Sequence, residues 1–207
     1  MTRFFLFRHG ETVMNTRPHL VGGRSNHTPL TPRGESQAIA LGKNLAERHF
    51  SPDVVLHSGA VRARKTGELA VKQLRSNAQF EQDERLQEMG QGDNEGLERQ
   101  HVYTPEIIDY LEAAGLDGHL PTGESMRDVQ NRMWEVLVEQ NTRHPKGTIV
   151  IFGHGLAIRA IAGKILGYTK RQILYDLSTD NCSENRIDMP TLQPPQVLYV
   201  GKTIVNE

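Results

Sequence analysis

Two histidines stand at the ends of apolar runs in this chain. Phe4-Phe5-Leu6-Phe7 leads straight into Arg8-His9-Gly10-Glu11-Thr12, and Ile149-Val150-Ile151-Phe152 leads into Gly153-His154-Gly155. Each run is short and continuously apolar, the pattern of a strand buried on both faces. Each ends at an imidazole flanked by glycine, which permits a tight turn. In open α/β sheets, ligands bind outside the carboxyl ends of strands. The pattern therefore predicts two imidazoles carried to one site from distant parts of the chain, the first with a guanidinium beside it.

Strands and helices alternate around these turns. Strands are expected at 3–7, 53–57 and 148–152, and helices at 32–48, 61–74, 105–114, 125–143 and 156–166. Thr31-Pro32 offers a cap residue followed by proline at the first helical position. Ser125 with Asp128 forms a variant of the capping box. His144-Pro145-Lys146-Gly147 ends that helix and leads into the next strand. The tail reads as two further strands, 185–189 and 197–200. The expectation is an α/β fold: a single three-layer α/β/α domain, 1–207, with a mostly parallel central sheet, helices on both faces and an antiparallel edge strand. Two segments, 15–30 and 85–122, are long and irregular. They are expected to rise over the carboxyl edge and border the site, because long loops in compact domains are more often functional than idle.

Composition narrows the class. The 207 residues are 24% charged and 37% hydrophobic with a net charge of −1, which offers no footprint for nucleic acid or a membrane surface. No apolar stretch approaches the roughly 20 residues of a bilayer span, and the N-terminus lacks a signal-peptide pattern. One cysteine, Cys182, points to a reducing, cytoplasmic setting. No Cys/His cluster has zinc-like spacing, so neither metal nor cofactor is expected. Whether the chain forms a homodimer is left open.

The ordered motifs resemble the histidine phosphatase superfamily, which includes the cofactor-dependent phosphoglycerate mutases. Beyond the Arg8–Thr12 pentad and Asn15, these are Pro29-Leu30-Thr31-Pro32-Arg33-Gly34 with Gln37-Ala38, and Ser58 with Arg62-Ala63 and Thr66. Then come Leu86-Gln87-Glu88 with Gly92 and Glu95-Gly96, Gly123-Glu124-Ser125 with Arg132, and Gly153-His154-Gly155. The resemblance covers nearly the whole chain. It implies His9 as a nucleophile that forms a phosphohistidine, with its other ring nitrogen on a nearby carbonyl such as that of Gly10. It implies Glu88 as general acid, with His154 on the transferring phosphoryl group.

The residues suit that chemistry. Arg8 and Arg62 offer planar forks for phosphoryl oxygens. His154 and Gly155 stand at a helix start, where backbone N–H groups favour an anion. Cationic neighbours keep His9 neutral and nucleophilic. Two arginines and a protonated histidine would take the electrostatic role of Mg²⁺. Burial and the acids around Glu88 would keep it protonated, with Glu84 and Glu95 as substitutes. Asn15 would donate to phosphate through its amide, and Ser58 would orient Arg62 or the backbone. Arg24 could contact an anionic substrate, His19 and His27 border the pocket, and Glu124 caps or braces a loop.

The segment Met89-Gly90-Gln91-Gly92-Asp93-Asn94-Glu95 is acidic where mutases resemble one another in a basic, aromatic stretch. An acidic loop is a poor host for a carboxylate beside a phosphate. The expected activity is thus metal-independent hydrolysis of a small phosphomonoester, with a phosphoglycerate mutase as the alternative. A non-catalytic phospho-ligand-binding module is the alternative of another class. It is disfavoured because the nucleophile is present.

Overall fold

In the computed structural model, residues 1–74, 76 and 78–204 are described. Strand β1 (Thr2–Arg8) pairs in parallel with β4 (Thr148–Gly153), and β4 pairs in parallel with β2 (Val54–His57). Beyond β2 lies β3 (Gln79–Gln82), also parallel. On the other side of β1, β5 (Glu184–Met189) and the edge strand β6 (Gln196–Lys202) run antiparallel. The order is β3-β2-β4-β1-β5-β6. Both histidine-bearing strands are thus central neighbours, and Arg8 lies opposite Gly153.

Side chains alternate across the sheet and give each face its own core. Phe5, Phe7, Val55, Val150 and Phe152 pack with Leu41 and Leu45 of α1 (Pro32–Glu47) and Ala70 of α2 (Val61–Leu74). Phe4, Leu6, Leu56, Ile149 and Ile151 pack on the opposite face with Met133 and Leu137 of α5 (Met126–Arg143) and Ile158 and Ile161 of α6 (Gly155–Leu166). Thr31 caps α1 by accepting from the Gly34 amide, with Pro32 at the first helical position. Ser125 and Asp128 form the reciprocal capping box of α5.

Two elements escape the sequence reading. Strand β3 has an exposed, polar pattern (Gln79, Glu81, Gln82), so apolar alternation cannot reveal it. Helix α7 (Lys170–Tyr175) is only six residues long, and its capping box, Thr169 with Gln172, is its main local signal. The segment 85–122 also holds more than one helix. Besides α4 (Pro105–Ala113) it contains α3 (Arg99–Val102), and Val21, Val102 and Leu120 form a small separate core there. No helix of the described residues is long and apolar enough to cross a membrane.

Candidate active site

Parallel pairing puts the ends of β1, β2 and β4 at one edge, and with them His9, Ser58 and His154. The His9 and His154 rings lie 5.4 Å apart, and both are buried, at 5% and 0% exposure. The turn after β1 is tightly constrained. A side chain on Gly10 would place its Cβ 2.4 Å from the Gly34 carbonyl oxygen, so the turn packs directly on the start of α1. The Gly10 amide donates to Thr66 Oγ1 of α2 at 3.0 Å.

His9 is oriented by its own turn. Its Nδ1–H donates to the Gly10 carbonyl at 2.7 Å, which leaves the Nε2 lone pair for attack. Burial, then the charges of Arg62 and Arg8, hold the His9 pKa well below 6.5 against the opposing Gly10 bond. His154 is likewise held well below 6.5, by burial and then by Arg62, His9, Arg132 and Arg8. Burial and the guanidinium charges thus favour the neutral form of both imidazoles, against the protonated histidine expected from sequence.

The guanidinium groups stand ready but partly committed. Arg8 Nη1 donates to the Thr179 carbonyl at 2.7 Å, while its buried Nε finds no partner among the described residues. Burial lowers the Arg8 pKa, with Glu88 opposing. Arg62 Nη1 donates to the carbonyls of Arg24 (2.7 Å) and Ser25 (2.9 Å), and Nη2 to that of Gly23 (3.3 Å). Its pKa is lowered to about 10, by burial first, so it stays charged. Nη1 and Nη2 both hold the 23–25 loop, and among the described residues Nε makes no hydrogen bond. Arg62 therefore both faces the site and anchors the 23–25 loop over it.

Glu88 lies elsewhere than expected. Its carboxylate accepts from the amides of Met89 (2.9 Å), Leu156 (3.1 Å) and Ala157 (2.9 Å). The N-terminus of α6, read from sequence as a phosphate cradle, is thus partly taken by this side chain. Its charge acts on Arg8, Arg62 and Arg159, so its surroundings are cationic rather than the crowd of acids expected. Arg132 holds the loop that bears it, through the carbonyls of Arg85, Gln87 and Glu88, and pairs with Glu124. Glu124 also accepts from the Gly90 amide at 2.8 Å, which makes it a brace.

The remaining candidates fall into place or out of it. Asn15 Oδ1 accepts from the Thr12 amide and hydroxyl, both at 3.0 Å. Gly155 begins α6 against Arg8 Nε and Thr179. Arg24 is paired with Glu124 at 3.0 Å instead of facing an open rim. Glu95 accepts from the amides of Arg24, Ser25 and Gln91 and braces the same loop. Ser58 bonds His154, not Arg62. His27 lines a groove of about 430 Å³ with Val13, Met14 and Arg17, and neither His9 nor His154 lines that groove. Sequence reading gave no role to Thr179, Arg159 or Asn181. Asn181 Nδ2 donates to the His9 carbonyl at 2.9 Å, a long-range contact with no local signal.

A family sequence model, the histidine phosphatase superfamily (branch 1), matches residues 4–199. The chain belongs to the histidine phosphatase superfamily. A curated relative named "Probable phosphoglycerate mutase GpmB", from Citrobacter koseri, is 29% identical over 196 residues, 91% of this chain and 85% of that protein. Bacillus stearothermophilus YhfR superposes with a TM-score of 0.85 at 26% identity, over 98% of each chain. The alpha-ribazole phosphatase from Shigella flexneri superposes with a TM-score of 0.80 over 99% of this chain and 100% of its own. At 22% identity that likeness is one of fold. Superfamily and neighbours together support an enzyme, phosphatase or mutase.

Burying two neutral histidines has a consequence for this histidine phosphatase. The unfolded chain takes up protons at His9 and His154 near pH 6.5, while the folded one does so only well below it. Stability is therefore highest above about pH 6.5 and falls as pH drops through it, by up to about 1.4 kcal/mol per pH unit for each histidine. Urea melts between pH 8 and pH 5 measure this. His9→Gln, which removes one of the two protons, should flatten the decline.

Proposed function

We propose that this histidine phosphatase hydrolyses a small phosphomonoester through a phosphohistidine on His9. The observation that carries the proposal is a neutral His9 with Nδ1–H on the Gly10 carbonyl and Nε2 unpaired, set among the guanidinium groups of Arg8 and Arg62. Nε2 attacks phosphorus, the bond to the ester oxygen breaks, and Glu88 gives that oxygen a proton. Water then attacks the phosphohistidine, its proton passes to Glu88, and the P–N bond breaks to release inorganic phosphate. Arg8, Arg62, His154 and the side-chain amide of Asn15 bind the phosphoryl oxygens. The guanidinium charge takes the role of a metal, so turnover persists in EDTA.

Hydrolysis is favoured over mutase chemistry by the loop above the site. Between Arg85 and Arg127 the only lysine or arginine is Arg99, which stacks on the Tyr103 ring at 4.8 Å. Arg24 is engaged by Glu124, which it shares with Arg132. A carboxylate beside the phosphate would lack a dedicated cation. The mutase reading keeps one support, the name of the curated relative. Cys182, buried and with its thiol pushed up to about 12 by burial, fits a reducing, cytoplasmic setting.

The test is phosphate release in EDTA from a panel of alkyl and aryl phosphomonoesters that includes 3-phosphoglycerate. Turnover of any member supports hydrolysis. Efficient interconversion of 3- and 2-phosphoglycerate with a bisphosphoglycerate primer would replace it with the mutase. Glu88→Gln should lower turnover of alkyl phosphates by about 10²–10⁴-fold but that of p-nitrophenyl phosphate far less, because a nitrophenolate leaves without a proton. Equal losses on both would remove Glu88 as the acid.

A further inference from the structure

The Ser58 hydroxyl lies 2.7 Å from Nε2 of His154, and both residues are fully buried. The sheet dictates this meeting. His57 stands opposite Phe152 in the β2–β4 register, so the next residue of β2 abuts the turn that carries His154. Among the described residues, the Ser58 hydroxyl makes no other hydrogen bond and His154 Nδ1 makes none. A hydroxyl can donate to an imidazole nitrogen or accept from it, according to the tautomer of the ring. With the hydroxyl as donor, Nε2 accepts and the ring proton sits on Nδ1.

We propose that Ser58 is a positioning residue that fixes His154 in the Nδ1–H tautomer, so that a neutral imidazole donates a hydrogen bond to the phosphoryl group. This rests on the phosphoryl-transfer reading of the site. The groups that face His154 are Arg62 from α2, Arg132 from α5, and Arg8 and His9 from the end of β1. An imidazolium would be one more like charge among them. A neutral donor adds hydrogen bonding without adding charge. In the other tautomer Nδ1 would turn a lone pair toward phosphoryl oxygens, two acceptors face to face.

The experiment is a two-bond ¹H–¹⁵N correlation spectrum of the ¹⁵N-labelled full chain at pH 7, with His154 assigned by loss of its signals in His154→Gln. The expected pattern is Nδ1 protonated and Nε2 bare, unchanged down to about pH 6. In Ser58→Ala the pattern should shift to Nε2–H or average between the two forms. The kcat should fall about 10- to 100-fold with little change in KM, and Ser58→Thr should restore both readouts. An Nε2–H or imidazolium pattern in the wild type overturns the proposal. So does a folded Ser58→Ala with wild-type tautomer and pH–rate profile. If Ser58→Ala fails to fold, the wild-type spectrum and Ser58→Thr decide. The tautomer is read without substrate, so failure to hydrolyse any phosphomonoester would leave it standing or falling by itself.

Discussion

Replacing His9 with alanine should lower phosphatase turnover by at least about 10⁴-fold, because no other group can form the covalent intermediate. Of the two imidazoles at the sheet edge, only His9 has its Nδ1–H tied to a neighbouring carbonyl and its second nitrogen unpaired. Nε2 of His154 is already bonded to Ser58. The fold should survive. His9 ends a strand whose core is built by Phe4, Phe5, Leu6 and Phe7, and these are untouched. A change in unfolding free energy within about 1 kcal/mol is expected in urea melts. Brief reaction of the wild type with a ³²P-labelled substrate should leave alkali-stable, acid-labile label on the protein, and none on His9→Ala. Turnover above one per cent of wild type in the variant would overturn the nucleophile assignment.

Arg62→Ala should be the second most damaging change, and it should act in three places at once. It removes a guanidinium charge beside the phosphoryl group, a loss of about 10³-fold or more in kcat/KM. It leaves the carbonyls of Gly23, Arg24 and Ser25 without their donor and so loosens the loop over the site. Water can reach part of that loop, so about 2 kcal/mol of lost stability is expected rather than the full desolvation cost of three groups. It also withdraws one of the charges that depress the His9 pKa. The acid limb of the pH–rate profile should therefore move up toward pH 6.5 in whatever activity remains. Arg62→Lys would keep the charge but not the planar fork, and should recover the pH profile better than the rate. A pH profile identical to wild type in Arg62→Ala would show that this charge does not set the state of His9.

The elements that build the sheet, β3 excepted, were legible because their signals are local. Phe4–Phe7 and Ile149–Phe152 are apolar runs too short for helices, and Thr31-Pro32 and Ser125 with Asp128 mark helix starts by their own chemistry. The candidate site residues were legible as an ordered set too: His9, Arg8, Arg62, Glu88 and His154. What each of them bonds was not. Arg24 meets Glu124 across 100 residues of sequence, Ser58 meets His154 across 96, and Glu88 reaches the start of α6 across 68. Such partners depend on strand register and loop path, which no local pattern encodes.

Charge state shows the division most clearly. From sequence, the acids around Glu88 and the arginines around the histidines are only a count of charges. Tertiary structure decides which of them meet and how far each is removed from water. Burial is the largest cause of the lowered pKa of both His9 and His154, ahead of any arginine. The sequence by itself determined the fold class and the superfamily, and it nominated the candidate reacting groups. The folded chain alone decided that burial favours the neutral form of His154 as well as of His9, that Arg62 holds a loop, and that Glu88 sits on the start of α6. The physical reason is that desolvation and hydrogen-bond geometry belong to positions in space, and sequence spacing does not carry them.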